Sequence, residues 1–233
     1  MSVFMSIRRL SYLAMIVAVA SAYVSPARAG LVFTTNYTTA NGLGNSSVNS
    51  VFVRSGTIYA GTQTGLSIST SGSTFANYIP MDSLLMSNQV SSVFADGTAV
   101  YGGAINNSGL YISTNNGASW TNYTTAQGLA GSTVNGVFAS GGTIYAATRD
   151  GLSVSANGGT SWTNFTAADG MAATPQSSVY VSGGTIYAAT FGGVSISSNG
   201  GATWTNSGLG HNRVRFVYAD GGTIYAATDG GVS

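Results

Sequence analysis

Short runs of apolar and small residues alternate with glycine pairs along most of the chain, and this pattern predicts β-strands joined by tight turns. One unit shows the arrangement clearly, with strands predicted at 134–139, 143–148, 151–155 and 162–166. Both faces of the 143–148 strand carry small or apolar side chains, which is typical of a sheet covered on two sides. The pattern therefore predicts a four-stranded sheet packed between neighbouring sheets.

The second strand of this unit recurs at nearly constant intervals, and the recurrence predicts the architecture. Its sequence at 142–148 is Gly-Thr-Ile-Tyr-Ala-Ala-Thr, with close copies at 56–62, 184–190 and 222–228 and a degenerate copy at 97–103. A period of about 40 residues with four strands per unit is typical of blades stacked around an axis. We therefore expect an all-β fold, a β-propeller of about five four-stranded blades.

The two ends of the repeat region leave two architectures open. Residues 34–40 match 121–126, so a fourth-type strand precedes the first unit, whereas the last unit stops within its third strand at 231–233. The early strand is able to complete the last unit and close a ring of five, which removes both exposed sheet edges. Alternatively, the sequence is part of a larger propeller.

The N-terminal segment has the pattern of an export signal. Arg8 and Arg9 precede an apolar stretch at 10–24, and Ala27-Arg28-Ala29 fits a small-x-small cleavage site. A membrane anchor is the alternative, but about 15 apolar residues fall short of the roughly 20 that span a bilayer. We expect a signal peptide at 1–29 and a propeller domain at 30–233. The mature protein is then periplasmic or extracellular, with no stable membrane span.

Charge is scarce, and its distribution excludes several classes of function. All six acidic residues are Asp and all seven basic residues are Arg, of which three precede residue 30. No basic stripe remains to follow a phosphate backbone, so nucleic acid is not an expected partner. The chain has no Cys and a single His, so neither a disulfide nor a metal cluster is expected. No cofactor is predicted.

A second repeated element precedes each predicted fourth strand. The turns at 113–120, 155–162 and 197–204 share the pattern Ser-x-Asn-x-Gly-x-x-Trp, and a shorter copy at 69–75 ends in Phe. They resemble the Asp-box of BNR-type propellers, Ser-x-Asp-x-Gly-x-x-Trp, with Asn in place of Asp. Asn is still able to close the turn through backbone hydrogen bonds, but the lost charge weakens any cation site.

Gly-Leu pairs at 42–43, 128–129 and 208–209 are similar to the propeller repeats of two-component sensor proteins. Together the two resemblances extend over about 31–233. They imply the fold and leave the activity open. Sialidases share the Asp-box, but their chemistry needs an arginine cluster and a tyrosine nucleophile beside a glutamate. This chain contains no Glu. We expect a non-catalytic protein, with a degenerate sialidase-like or glycosidase-like propeller as the alternative.

Most aromatic residues keep a fixed place in the repeat, which favours packing between blades over a role in sugar stacking. These structural positions are Tyr59, Tyr101, Trp120, Tyr145, Trp162, Tyr187, Trp204 and Tyr225.

A binding site is expected where the repeat departs from its own pattern. In a propeller, the loops after the second strands and the loops between blades share one face, while the Asp-box turns lie on the other. Most of the few charges fall on the first face, and the candidate ligand-binding residues there are Arg149, Asp150, Asp169, Phe191, His211, Arg213, Arg215 and Asp229.

Several candidates have a simpler explanation. Arg149 and Asp150 are neighbours that suit a solvated turn, and His211 suits an exposed loop. Arg215 replaces Asn or Ser of the other units in the innermost strand, so it is expected to point into the central channel. The expected ligand is a protein, a peptide or a glycan. A sensor segment of a longer extracytoplasmic protein is a further alternative, and the oligomeric state stays open.

Overall fold

The computed structural model describes residues 36–78, 89–174, 176–209 and 213–233. Within these ranges the chain forms four four-stranded antiparallel sheets and one three-stranded antiparallel sheet. The expectation of about five sheets is therefore confirmed. The predicted signal peptide at 1–29 and the candidate residue His211 lie outside the described residues.

Each sheet is built from strands that follow one another in the chain. The first contains β1 (Val48–Arg54), β2 (Thr57–Thr62), β3 (Gly65–Ser69) and β4 (Ala76–Tyr78). The second contains β5 (Val90–Asp96), β6 (Ala99–Ala104), β7 (Gly109–Ser113) and β8 (Thr121–Tyr123). The third contains β9 (Val134–Ser140), β10 (Thr143–Thr148), β11 (Gly151–Ser155) and β12 (Thr163–Phe165). The fourth contains β13 (Gln176–Ser182), β14 (Thr185–Thr190), β15 (Gly193–Ser197) and β16 (Thr205–Ser207). The fifth contains β17 (Val214–Asp220), β18 (Thr223–Thr228) and β19 (Gly231–Val232).

The sheets pack face to face in chain order. Their first strands β1, β5, β9, β13 and β17 contact one another successively, as the innermost strands of a radial arrangement do. Between the third and fourth sheets the core contains Leu152 from one sheet and Val179 and Ile186 from the other, all buried. Burying such side chains stabilises each contact by about 1.5–3 kcal/mol per residue.

A continuous row of aromatic rings follows the inner strands. Neighbouring rings lie 4.7, 4.7, 5.1 and 4.9 Å apart between centroids, so each sheet contributes one ring to the row. Tilted contacts at this spacing are favourable for aromatic pairs. The members of this inner aromatic row are Phe52, Phe94, Phe138, Tyr180 and Tyr218.

The turns that contain Ser and Asn close through a repeated set of side-chain hydrogen bonds. In the third sheet Asn157 Oδ1 accepts from Ser155 Oγ at 2.9 Å and from Ser161 N at 3.0 Å, while its Nδ2 donates to Ser161 Oγ at 2.8 Å. Gly159 has a φ of 94°, and a Cβ there would meet the Tyr123 ring at 2.8 Å. Only glycine satisfies both constraints.

Three short 3-10 helices occupy stretches in which the sequence predicted strand ends or loops. They cover Thr39–Asn41, Thr125–Gln127 and Ala167–Asp169, each with a threonine at the N-cap and a glycine at the C-cap. The prediction that a strand runs through 34–40 is thus wrong for its described part, because residues 39–41 are helical and 36–38 lie in no strand. In the third sheet, β12 is also shorter than the predicted 162–166.

Candidate functional site

The two ends of the propeller strands carry different connections. Asp229 N, after β18, donates to Arg213 O at 3.2 Å, and Arg149 N, after β10, donates to Thr133 O at 2.9 Å. Loops after the second strands therefore lie beside the segments that lead into the first strands, and we call this the loop end. Asn116 N donates to Thr98 O at 2.8 Å, so the Ser and Asn turns lie at the opposite end, the turn end.

At the loop end, four of the candidate residues come together across the boundary between the fourth and fifth sheets. Arg215 Nε donates to Asp229 Oδ1 at 2.6 Å, and Arg213 Nε lies 3.6 Å from Asp229 Oδ2. The Arg213 guanidinium carbon lies 4.2 Å from the centroid of the Phe191 ring, within the range of a cation–π contact. We call Phe191, Arg213, Arg215 and Asp229 the arginine cluster.

The arginine cluster is accessible and positively charged. The side chains of Arg213 and Arg215 are 46% and 54% exposed, and that of Asp229 is 35% exposed. Two guanidinium groups share one carboxylate, so the four residues carry a formal charge of +1. Because the ion pairs are solvent-exposed, they hold the arginines in place without adding much to folding stability. The arrangement suits an anionic partner.

Arg215, which the sequence predicts to point into the central channel, lies on an innermost strand as expected. Its guanidinium turns back to Asp229 in the loop between β18 and β19, and it is more exposed than buried. The carboxylate supplies the hydrogen-bond acceptor that a guanidinium at this position needs.

The remaining candidates lie apart from the cluster. Arg149 and Asp150 occupy the turn after β10, in the third sheet, where both residues are exposed. Asp169 accepts hydrogen bonds from Thr166 N at 2.8 Å and from Thr166 Oγ1 at 3.1 Å, which caps the 3-10 helix. Asn41 and Gln127 take the same capping place in the other two helices, which gives Asp169 a structural role.

The recurrent aromatic residues lie at contacts between sheets. Tyr123 and Trp162 approach to 5.9 Å between centroids, and Phe165 and Trp204 to 5.6 Å. The corresponding pair of Tyr78 with Trp120 lies at 6.3 Å.

Burial of the repeated tyrosines decreases towards the fifth sheet. Tyr59 and Tyr101 are buried, Tyr145 and Tyr187 are half-buried, and Tyr225 is 49% exposed.

Burial perturbs the acidity of several tyrosines. It raises the pKa of Tyr101, and the nearby charge of Asp96 raises that pKa further. Burial also raises the pKa of Tyr145 and of Tyr180. These groups stay neutral at physiological pH, so none of them offers a phenolate nucleophile there.

Two features of the inner strands were not predicted from the sequence. The inner aromatic row was missed, although a Phe or Tyr recurs in each first strand and was the available signal. Phe216 was also missed. It occupies a position at which the first four sheets have the small residues Ser50, Ser92, Gly136 and Ser178.

Within the described ranges, no group of three or more His, Asp or Glu side chains is placed to hold a metal ion. Nor does any helix described there have the length and apolar character needed to cross a bilayer. A cavity of about 20 Å³ between the first and second sheets, lined by Leu66, Val90 and Trp120 among others, is far smaller than a small-molecule site.

Solved structures share this arrangement of sheets. The extracellular domain of the hybrid two-component system BT3049 from B. thetaiotaomicron matches with a TM-score of 0.59 and 17% identity, over 81% of this chain and 33% of that chain. AFV00434, an ancestral GH74 enzyme, matches with a TM-score of 0.60 and 20% identity, over 77% of this chain and 27% of that one. YCF48 bound to D1 peptide matches with a TM-score of 0.55 and 14% identity, over 75% and 57%. No protein-family profile and no curated protein matches the sequence.

The fold is a β-propeller. Identities of 14–20% show the fold alone, since propellers support both enzymes and binding domains. The chain spans less than two thirds of the length of each of these three proteins.

Proposed function

We propose that this chain is an exported, non-catalytic propeller that binds a protein, peptide or glycan at its loop end. The arginine cluster is the observation that supports the proposal most directly. It joins two exposed guanidinium groups and an aromatic ring from two adjacent sheets at the end where propeller loops form binding surfaces.

Among these ligand classes, the cluster favours a peptide or protein. Planar guanidinium groups bind carboxylates through paired hydrogen bonds, and aromatic rings stack on them or on peptide side chains. The propeller YCF48 has been solved with a bound peptide, which is a precedent for this use of the fold in another protein. BT3049 supplies a precedent for an extracellular location. A sensor segment of a longer extracytoplasmic protein is compatible with the same site.

We assign the Ser and Asn turns to the Asp-box type, in which the Asn side chain makes the hydrogen bonds that close the turn in place of Asp. The hydrogen bonds of Asn157 support this assignment, because its Oδ1 accepts from Ser161 N across the turn. The turns lie at the end opposite the arginine cluster, so their role in this proposal is structural.

A degenerate glycosidase is the competing function, since a GH74 enzyme shares the fold. Glycoside hydrolysis typically needs two carboxyl groups that flank the scissile bond. The chain has no Glu, and two of its Asp side chains, Asp169 and Asp229, already hold a helix cap and a pair of arginines. We therefore expect no turnover.

The test combines a binding screen with an activity screen on the full chain. The purified protein is applied to peptide and glycan arrays, and a panel of glycans is assayed for hydrolysis. We expect binding to array members with no hydrolysis above background. Arg213→Gln should weaken binding, whereas Arg54→Gln, at the turn end, should leave it unchanged. Hydrolysis by the wild type, or no binding on either array, would refute the proposal.

A further inference from the structure

Among the described arginines, Arg149 differs from the others in having no partner. Arg54 is paired with Asp96, and the two arginines of the arginine cluster share Asp229. The side chain of Arg149 makes no hydrogen bond, ion pair or aromatic contact with any described residue, and Arg149 is exposed. Its guanidinium is therefore available to a carboxylate from another molecule.

Arg149 and Phe191 occupy the same place in consecutive sheets. Each follows a threonine that ends a second strand, and the threonine Oγ1 donates to the carbonyl of the glycine three positions later. These bonds are 2.7 Å for Thr148 and 2.9 Å for Thr190. The main chain of Arg149 is also fixed, since its N–H donates to Thr133 O. The two side chains therefore start from equivalent points at the loop end of the third and fourth sheets.

The contact of Phe191 with Arg213 extends this series to the next sheet. The Phe191 ring belongs to the fourth sheet, and Arg213 leads into the fifth, with 4.2 Å between the guanidinium carbon and the ring centroid. The contact lies between these two sheets. Arg149, Phe191 and Arg213 thus follow one another along the loop end as cation, ring and cation, and we call them the cationic row.

The spacing of the sheets sets the length of the cationic row. Stacked sheets are about 10 Å apart on average. They are closer at the inner strands, where the ring centroids of the third, fourth and fifth sheets are 5.1 and 4.9 Å apart. Two such steps place Arg149 and Arg213 on the order of 10–20 Å apart. An extended chain advances about 3.3 Å per residue, so side chains about three to six residues apart span this distance.

We propose that the ligand is an extended peptide with two carboxylates, one bound by Arg149 and the other by Arg213. This inference rests on the proposed function and specifies its ligand. Guanidinium groups bind carboxylates through parallel hydrogen bonds. Stacking on Phe191 holds Arg213 in place before the ligand arrives, which reduces the entropy lost on binding. A peptide fits better than a glycan, because Arg213 already covers one face of the ring on which a sugar would stack.

A peptide series tests the proposal on the full chain. Dodecapeptides of otherwise neutral sequence, blocked at both ends, carry no Asp, one Asp, or two Asp separated by about two to eight residues. We expect the affinity to be highest at a separation of about three to six residues. There the second Asp should strengthen binding about tenfold. Raising the salt concentration should reduce this gain.

Variants locate the second contact. Arg149→Gln should abolish the gain, so that peptides with one and two Asp bind equally. Arg149→Lys should keep part of it, because it retains the charge without the planar fork. Asp150→Asn should increase it, because it removes a negative charge beside Arg149. Arg54→Gln is the matched control and should leave the gain unchanged, since Arg54 is paired with Asp96 at the turn end. Circular dichroism of each variant checks that the fold is intact.

The outcomes separate the two proposals. A gain that survives Arg149→Gln, or that does not depend on the separation of the two Asp, would overturn the two-carboxylate inference. Binding of glycans alone would also overturn it. In each of these cases the binding function stands if Arg213→Gln weakens the binding that is observed. Binding to no peptide and no glycan would overturn both proposals.

Discussion

The ring of Tyr123 lies edge-on against the indole of Trp162, with centroids 5.9 Å apart and planes at 68°, across the boundary between the second and third sheets. Phe165 meets Trp204 in the same way at the next boundary, and Tyr37 meets Phe75 at 5.3 Å beside the first sheet. The end of one repeat thus packs on the turn of the next.

This contact predicts the effect of truncating Trp162. Trp162→Ala should lower the free energy of unfolding by about 3 kcal/mol, near the lower end of the range for aromatic truncation because the indole is half-buried. Urea unfolding followed by fluorescence or circular dichroism measures the change.

Trp162→Phe is the matched control. The first sheet already has Phe75 at the equivalent place, and Trp162 Nε1 is buried with no hydrogen-bond partner among the described residues. The phenyl ring therefore keeps the contact and removes an unsatisfied donor, so its cost should be clearly smaller. Equal losses for the Ala and Phe variants would contradict the packing role.

Substitutions of Asn157 test how much the stability of the repeated turn depends on this side chain. Asn157→Ala removes three side-chain hydrogen bonds, one accepted from Ser161 N, one donated to Ser161 Oγ and one accepted from Ser155 Oγ. We expect a loss of about 1–2 kcal/mol in unfolding free energy. Asn157→Asp keeps Oδ1 as the acceptor, and Ser161 Oγ is able to donate to the carboxylate, so this variant should unfold close to the wild type. A strongly destabilised Asp variant would show that the amide N–H is essential.

The sequence predicted the sheets well because each strand and turn is encoded locally and then repeated. Residues 143–148, for example, were predicted with the observed bounds of β10. The 3-10 helices were missed although a capping box was present, since Thr166 was assigned to the end of a strand and Asp169 to a loop with a candidate role in ligand binding.

The arginine cluster was only partly predictable. The predicted topology placed Phe191, Arg213 and Asp229 on one face, so their common location at the loop end was predictable. Which side chains touch depends on rotamers and on the offset between two sheets, and neither is encoded in the spacing of residues. Arg215 shows the limit, because its position in the innermost strand did not indicate that its long side chain reaches Asp229.

Substitutions of Asp169 distinguish a role in capping the 3-10 helix from a role in ligand binding. Asp169→Asn keeps an oxygen that accepts from Thr166 N, as Asn41 does in the first 3-10 helix, so stability should stay within about 0.5 kcal/mol of wild type. Asp169→Ala removes the cap and should cost about 1 kcal/mol. Thermal or urea unfolding measures both variants. Loss of peptide or glycan binding in the stable Asn variant would contradict a purely structural role and would place the charge of Asp169 in the binding site.

Ionisation of Tyr101 is expected to lower the stability of the folded protein at alkaline pH. Burial, with a smaller effect of the Asp96 charge, raises its pKa in the folded protein above the ordinary value of 10.0. Below that pH both states keep the proton and stability is unaffected by this group. Above it the unfolded chain releases the proton first, so the free energy of unfolding falls as the pH rises towards the folded pKa. Urea unfolding between pH 8 and about pH 11 should show this decrease, and Tyr101→Phe should reduce its slope. Asp96→Asn should reduce it less, because burial is the larger cause. An unchanged slope in Tyr101→Phe would assign the alkaline sensitivity to other groups.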